Sequence, residues 1–253
     1  IPPEHVHTQV GDTESVGNTG VSGGSRTVNA TGQAVNLAAQ DLIAQLKERA
    51  ASGWNVLPSQ VRWQAGKVVN TTRDEELTLR ELTRQAMTTG GPLAASASVN
   101  VAGGEGPSFA VHICDVAVDE ETGHSQIVRY TTVQDAGCAV HPPSVEGQLQ
   151  GGASQGIGWA LNEAFSYDAD GKLVNASFLD YRMPVTSDLP MIDTIIVEVP
   201  NRRHPFGVRG VGEAPIIPPL AAVRSAISQA VGVPITDLPC SPMRVLAAIK
   251  ATQ

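Results

Sequence analysis

Cysteine is scarce in this chain of 253 residues: Cys114, Cys138 and Cys240 stand far apart, with no C-x-x-C spacing. That suggests neither a disulfide framework nor a structural zinc site, and three thiols cannot supply the four thiolates of an ordinary iron–sulfur cluster. Three buried thiols are the plain reading. Positive charge is also short. The 17 Lys and Arg face 25 Asp and Glu, a formal net charge of −8, which argues against a nucleic-acid partner. Long apolar runs are missing too. The best stretch, Ile216 to Val233, is interrupted by Pro218, Pro219, Arg224 and Ser225. It falls short of the roughly 18 uninterrupted residues of a membrane-spanning helix, so no transmembrane segment and a soluble protein are expected. The histidines, His5, His7, His112, His124, His141 and His204, form no H-x-x-x-H pair. Metal ligation by the chain's own side chains is therefore not expected.

What the chain does have is 42% hydrophobic residues spread along its length, enough for one large core or two lobes. Gly11 to Gly32 reads as a loop rich in Gly, Ser, Thr and Asn, with Gly17 within it. Thr31 is a candidate cap for a helix to about Ala51, on the near-helical spacing of Val35, Leu42, Ile43 and Leu46. Strands are expected at Val61–Trp63 and Lys67–Asn70, then a helix over Asp74–Met87. A three-stranded meander is expected from Ala94–Val101, Phe109–Val118 and Gln126–Val133. Pro142-Pro143 opens a Gly-rich helical pattern from Ser144 to Phe165. The remaining expectations are a hairpin at Asp168–Gly171, a strand over Thr194–Val199, a helix from Pro218 to about Val231 and a closing helix over Met243–Lys250. Strands and helices interleave without a regular βαβ beat, which predicts an α+β fold of mixed sheets packed with helices, in two lobes. Ile1 opens mid-domain in character, so the chain is expected to be part of something longer. The expected compartment is the cytoplasm, with the periplasm as the alternative.

Four segments are candidates for chemistry: Gly20 to Thr27, Gly147 to Gly152, Gln155 to Gly158, and Gly210 to Pro215. In the first, amides freed by glycine beside Ser25, Arg26 and Thr27 suit a phosphate or pyrophosphate; a flexible surface loop is the alternative. The glycines of α-helical pattern cost about 0.8–1 kcal/mol each relative to Ala, and make sense where a backbone or ligand approaches closely. Glu213 sits between Gly212 and Pro215, a carboxylate on a constrained turn ahead of a helix. It is either a general base or a partner for the helix dipole. Gly151–Gly158 does not match G-x-G-x-x-G in order, and no buried strand leads into it. Gly152-Ala153-Ser154-Gln155-Gly156 matches the G-x-S-x-G of a serine-hydrolase elbow in letters. Ser154, however, falls within a helical pattern instead of a strand-to-helix turn.

Seven motifs in order carry a resemblance: Gly11-Asp12-Thr13-Glu14, Gly23-Gly24-Ser25-Arg26-Thr27, Gly32-Gln33-Ala34-Val35, Asp135-Ala136-Gly137, Val145-Glu146-Gly147-Gln148, Gln155-Gly156-Ile157-Gly158 and Gly210-Val211-Gly212-Glu213. Together they resemble the molybdopterin-binding large subunit of the xanthine dehydrogenase/aldehyde oxidase family. Residues 1–253 would be the C-terminal portion of its molybdopterin-binding region, within the second molybdenum-cofactor domain. The resemblance implies Glu213 as catalytic base and Gln148 as a hydrogen-bond donor beside the metal's oxygen. It also implies cofactor contacts from Gly23, Gly24, Ser25, Arg26, Thr27 and Gly212.

The activity it implies is hydroxylation of an aldehyde or N-heterocycle with water as oxygen source. The implied cofactor is molybdopterin, in its cytosine dinucleotide form. Iron–sulfur clusters, and flavin or haem, would sit on partner chains: an iron–sulfur subunit and a flavin or cytochrome subunit. Family members carry a G-Q-G segment and further contacts upstream of where Ile1 stands. The remainder of the large subunit is therefore a further expected partner, and the chain alone is expected to be inactive. The competing readings are a non-catalytic assembly domain of the same fold and a serine hydrolase using Ser154.

Overall fold

The structure, a computed structural model, describes residues 1–14, 20–100 and 106–252. Gly17 of the expected loop and Val101 of the expected strand lie outside the described residues. The chain divides into two compact units, one of Ile1–Ser22 and Ala30–Val101, the other of Gly23–Asn29 and Ala102–Gln253.

Helix α1 spans Thr27–Trp54, one turn earlier than the expected start at Thr31. Gly24 and Ser25, at φ 64° and 55°, turn the chain just before it, and Thr27 to Ala30 hold no Gly or Pro to break the first turn. Strands β1 (Val61–Gln64), β2 (Lys67–Asn70) and β3 (Glu76–Thr78) follow. They form an antiparallel sheet in the order β1-β2-β3. Ala65 and Gly66 both have positive φ, as a two-residue hairpin turn between right-twisted strands demands. Leu46, Ala50 and Ala51 of α1 pack on Val61, Val68 and Leu82 to make this unit's core.

The expected helix over Asp74–Met87 is corrected to a strand and a short helix. Leu77 pairs with Val68 at the sheet edge, so tertiary pairing overrides local propensity. Helix α2 (Leu79–Arg84) then begins at a capping box, in which Thr78 Oγ1 accepts from Glu81 N and Glu81 Oε2 accepts from Thr78 N.

In the second unit, β4 (Ala110–Val118) and β5 (Ser125–Asp135) pair antiparallel. The third strand of their sheet is β6 (Ile192–Val197), parallel to β5. The expected meander is thus corrected: residues 94–100 form no strand. Ala94 O instead accepts from the Gln45 side chain. The Asp168–Gly171 hairpin is reduced to one bridge, Tyr167 to Leu173.

Helices α3 (Pro142–Leu161), α4 (Pro218–Val231) and α5 (Pro242–Lys250) complete the unit. Its core joins Ile127 and Tyr130 of the sheet to Ala153 and Ile157 of α3, Val223 and Ile227 of α4, and Val245 and Ile249 of α5. Two of the glycines of α3, Gly152 and Gly156, answer the question their cost poses. A Cβ on Gly152 would lie 2.6 Å from Pro215, and one on Gly156 would lie 2.6 Å from Ile216 O. Close backbone approach, by the segment that leads into α4, is what they permit. The fold is α+β with mixed sheets. Among the described residues no helix is long and apolar enough to cross a membrane.

Candidate active site

Glu213 is positioned from both sides. Upstream, Arg209 is clamped to the end of β5: its Nε lies 3.0 Å from Asp135 Oδ2, with the two side chains only 14% and 11% exposed. Its backbone N–H donates to Ala136 O, and its Nη1 donates to Pro107 O at 2.8 Å. Asp135 Oδ1 meanwhile accepts from Gly137 N and Val199 N. An ion pair this shielded and this fully hydrogen-bonded holds geometry better than an exposed one. Downstream, buried Pro215 sits against Gly152 of α3.

The chain between these anchors meets the Gly23–Thr27 segment. Gly24 N donates to Glu213 Oε1 at 2.8 Å, and Glu213 N donates to Ser25 Oγ at 2.8 Å. Residues 188 and 189 positions apart are therefore tied by two reciprocal bonds. Two glycines make the approach close. A Cβ on Gly210 would lie 2.6 Å from Ser25 Cβ. One on Gly212 would lie 3.3 Å from Gln148 Oε1 and 3.5 Å from Ser25 Oγ. Gln148, exposed on α3, thus reaches the same corner, and Gly23 lies 4.0 Å from Glu213 Oε1 by the same measure.

Six of the residues singled out from sequence, Gly23, Gly24, Ser25, Gln148, Gly212 and Glu213, are brought together. Arg26 and Thr27 follow directly in the chain, Thr27 as the first residue of α1. Their side chains make no hydrogen bond to the Glu213 turn among the described residues. Glu213 is exposed, and its Oε2 has no hydrogen-bond partner among the described residues. Ser154 lies in the middle of α3, where its Oγ donates to Gln150 O at 2.8 Å. That is the back-bond of a helical serine, and the strand-to-helix elbow is absent at this position. His141 caps α3, accepting from Ser144 N. No group of three or more His, Cys, Asp or Glu is gathered as a metal site among the described residues.

Sequence reasoning missed the supports. Arg209, Ser108 and Gln134 carry no local signal, because a strand-end Gln and a loop Arg read as surface. Strongly displaced titrations lie on β4 and β5. Burial pushes His112 down to about 4 and the Cys114 thiol up to about 12, and it raises Tyr130. His112 Nδ1 is 2.9 Å from Tyr130 Oη. An open groove of about 600 Å³ in the first unit, lined by Lys47, Ser59, Arg62 and Trp63 among others, contains none of the sequence candidates. Chemistry is better sought where the candidates converge.

Comparison with known proteins identifies the family. A family model described as a molybdopterin cofactor-binding domain matches residues 1–190. The xanthine dehydrogenase molybdenum-binding subunit of Escherichia coli O157:H7 is 37% identical over 186 residues, covering 71% of this chain and 25% of its own length. The 6-hydroxypseudooxynicotine dehydrogenase complex subunit gamma of Paenarthrobacter nicotinovorans is 31% identical over 257 aligned residues, covering 98% of this chain and 32% of its own. That second similarity extends through the Glu213 turn, beyond the family match. The solved aldehyde oxidoreductase from Desulfovibrio gigas superposes with a TM-score of 0.73 at 28% identity, covering 94% of this chain and 24% of that one. The chain spans about a quarter to a third of the length of the relatives it matches. It belongs to the molybdopterin cofactor-binding family of xanthine dehydrogenase and aldehyde oxidoreductase large subunits.

Proposed function

We propose that this chain supplies the general base and part of the cofactor cradle of a molybdenum hydroxylase, an oxidoreductase acting on an aldehyde or N-heterocycle with water as oxygen donor. The observation that carries the reading is the pair of bonds joining Glu213 to Gly24 and Ser25. They put a carboxylate where the phosphate-suited loop and Gln148 meet.

The residues present fit a pterin cofactor. The corner at Gly24 and Ser25 runs straight into α1. The first-turn N–H groups of that helix have no intrahelical acceptor and carry the positive end of its dipole, the arrangement that binds phosphate. A metal brought in by the cofactor itself would need no cluster of protein ligands. Gly23, Gly24, Ser25, Arg26 and Thr27 would hold the pterin and its phosphates. Gly212 keeps clear the space between Gln148 and Ser25. When bound, the cofactor supplies two-electron redox chemistry with oxygen drawn from water.

Glu213 does the proton work. One oxygen is fixed by the Gly24 N–H, which sets the plane of the carboxylate, and Oε2 is left to accept the proton that water must lose to become a nucleophile. Gln148 donates its amide N–H to the reacting oxygen and orients it. The pterin tail is the cytosine dinucleotide. The partners are the remainder of a large subunit, an iron–sulfur subunit, and a flavin or cytochrome subunit, in the cytoplasm. Iron–sulfur, flavin and haem groups belong to those chains. Alone, this chain is inactive.

The test is Glu213→Gln in the complete complex. A positioned general base contributes about 10²- to 10⁴-fold, so turnover falls by that factor while molybdenum and pterin stay bound. Near-normal turnover with bound molybdenum overturns the assignment.

A further inference from the structure

We propose that Gln134 is a positioning residue for Glu213, acting through the carbonyl of Gly210; the proposal rests on Glu213 being the base. Gln134 lies near the end of β5, on the face turned into the core, and is 1% exposed. Its Nε2 donates to Gly210 O at 3.2 Å. Its Oε1 has no partner among the described residues. A buried acceptor left unpaired is destabilising, and a β-branched apolar residue would serve a strand interior better. The side chain is therefore poorly chosen for stability, and its one hydrogen bond goes to the first residue of the Gly210–Glu213 turn.

The turn needs such a hold. Gly210 is required by the close approach to Ser25, and Gly212 lies close to Gln148 and Ser25, yet glycine is the residue least able to restrain its own dihedrals. Rotation about either glycine would carry Glu213 off its bonds to Gly24 and Ser25. Ser108 Oγ also donates to Gly210 O. Two donors on one carbonyl use both of its lone pairs and fix the plane of the Gly210–Val211 peptide. The Asp135–Arg209 pair fixes the residue before it. Gln134 and Asp135, adjacent on β5, thus hold adjacent residues of the turn from one rigid strand. The base inherits its position from β5.

Gln134→Met keeps length and volume and removes the donor. In the complete complex, with and without cofactor, backbone amide exchange at residues 211–213 should quicken about tenfold while exchange in α4 stays unchanged. A displaced base should lower kcat about tenfold and leave KM within about twofold. The melting temperature should hold or rise, because an unpaired acceptor has gone; a purely structural role would lower it instead. Should Gln134→Met not fold, Ser108→Ala tests the same carbonyl from a partly exposed position, with exchange about threefold faster expected there.

Wild-type exchange at 211–213 in the folded variant overturns the proposal. So does faster exchange with unchanged kcat in a complex where Glu213→Gln is inactive. Near-normal turnover of Glu213→Gln removes the base assignment alone, and amide exchange then decides whether Gln134 holds the turn.

Discussion

The two units differ in the unpartnered polar atoms and the tightly packed glycines they hold. In the first, buried Asn70 spends its side chain fully: Nδ2 donates to Glu75 Oε2, while Oδ1 accepts from Thr72 N and Thr72 Oγ1. Its glycines at 32, 53 and 66 have open space where a side chain would stand. In the second, His112 Nε2, Ser125 Oγ, Thr132 Oγ1 and Gln134 Oε1 are buried without a partner among the described residues. Gly137, Gly152, Gly156 and Gly210 are pressed by backbone or ring atoms within 3 Å. Local rules account for Asn70 and for these glycines of the first unit. The second accepts steric and polar cost in the unit that positions Glu213, the pattern expected where geometry is held for chemistry.

Acid should separate the units most. Burial holds His112 at about 4 in the folded state against an ordinary value of 6.5. Above pH 6.5 the ring is neutral folded and unfolded, and its contribution is complete. Between pH 6.5 and about 4 the unfolded chain takes up a proton that the folded chain refuses, so stability falls as pH falls. The loss is complete once pH has fallen through about 4, the folded-state value. Amide exchange followed from pH 7 to pH 4 should show β4 and β5 loosening ahead of β1 and β2, and His112→Gln should flatten that dependence. Parallel loosening of both sheets, or no change in His112→Gln, breaks the comparison.

Glycine substitution sharpens it next. Gly156→Ala drives a Cβ to 2.6 Å from Ile216 O and 2.7 Å from Pro219, and such overpacking costs about 1–3 kcal/mol. Gly32→Ala, also within a helix but with nothing within 4 Å, should gain about 1 kcal/mol from helix propensity alone. Denaturant midpoints of the two variants should move in opposite directions. A rise in both would show that the close packing of α3 against the segment before α4 carries no energy.

Much of this was legible in the sequence, and what was not has a physical reason. The helices from Pro142 and Pro218 and the paired strands at Val61 and Lys67 announce themselves by period and by punctuation. The Asp74–Met87 segment does not, because Leu77 pairs with Val68 only once β2 exists. Nor does the third strand of the second sheet: residues 94–100 have strand-like composition, yet the place beside β5 goes to β6, dozens of residues downstream. Glu213, Gln148 and the Gly23–Thr27 loop could be named from their motifs. Their meeting could not, since contacts across 188 residues leave no local trace. Gln134 and Arg209 were invisible for the same reason.

The smallest effect probes the polar cost itself. Thr132 is fully buried on β5 beside Gln134's face, and its Oγ1 has no partner among the described residues. Thr132→Val exchanges that hydroxyl for a methyl of nearly the same shape, so desolvation is relieved while strand propensity is kept or improved. A gain of about 1 kcal/mol is expected, read as a rise in melting temperature. At Asn70 the same removal of polarity should go the other way, because Asn70→Ala strips a partner from Glu75 and from Thr72. Stabilisation by Thr132→Val with destabilisation by Asn70→Ala would locate the unpaid polar burial in the second unit alone. Destabilisation by both would mean that water fills the space beside Thr132, and that the two units differ in hydration and not in strain.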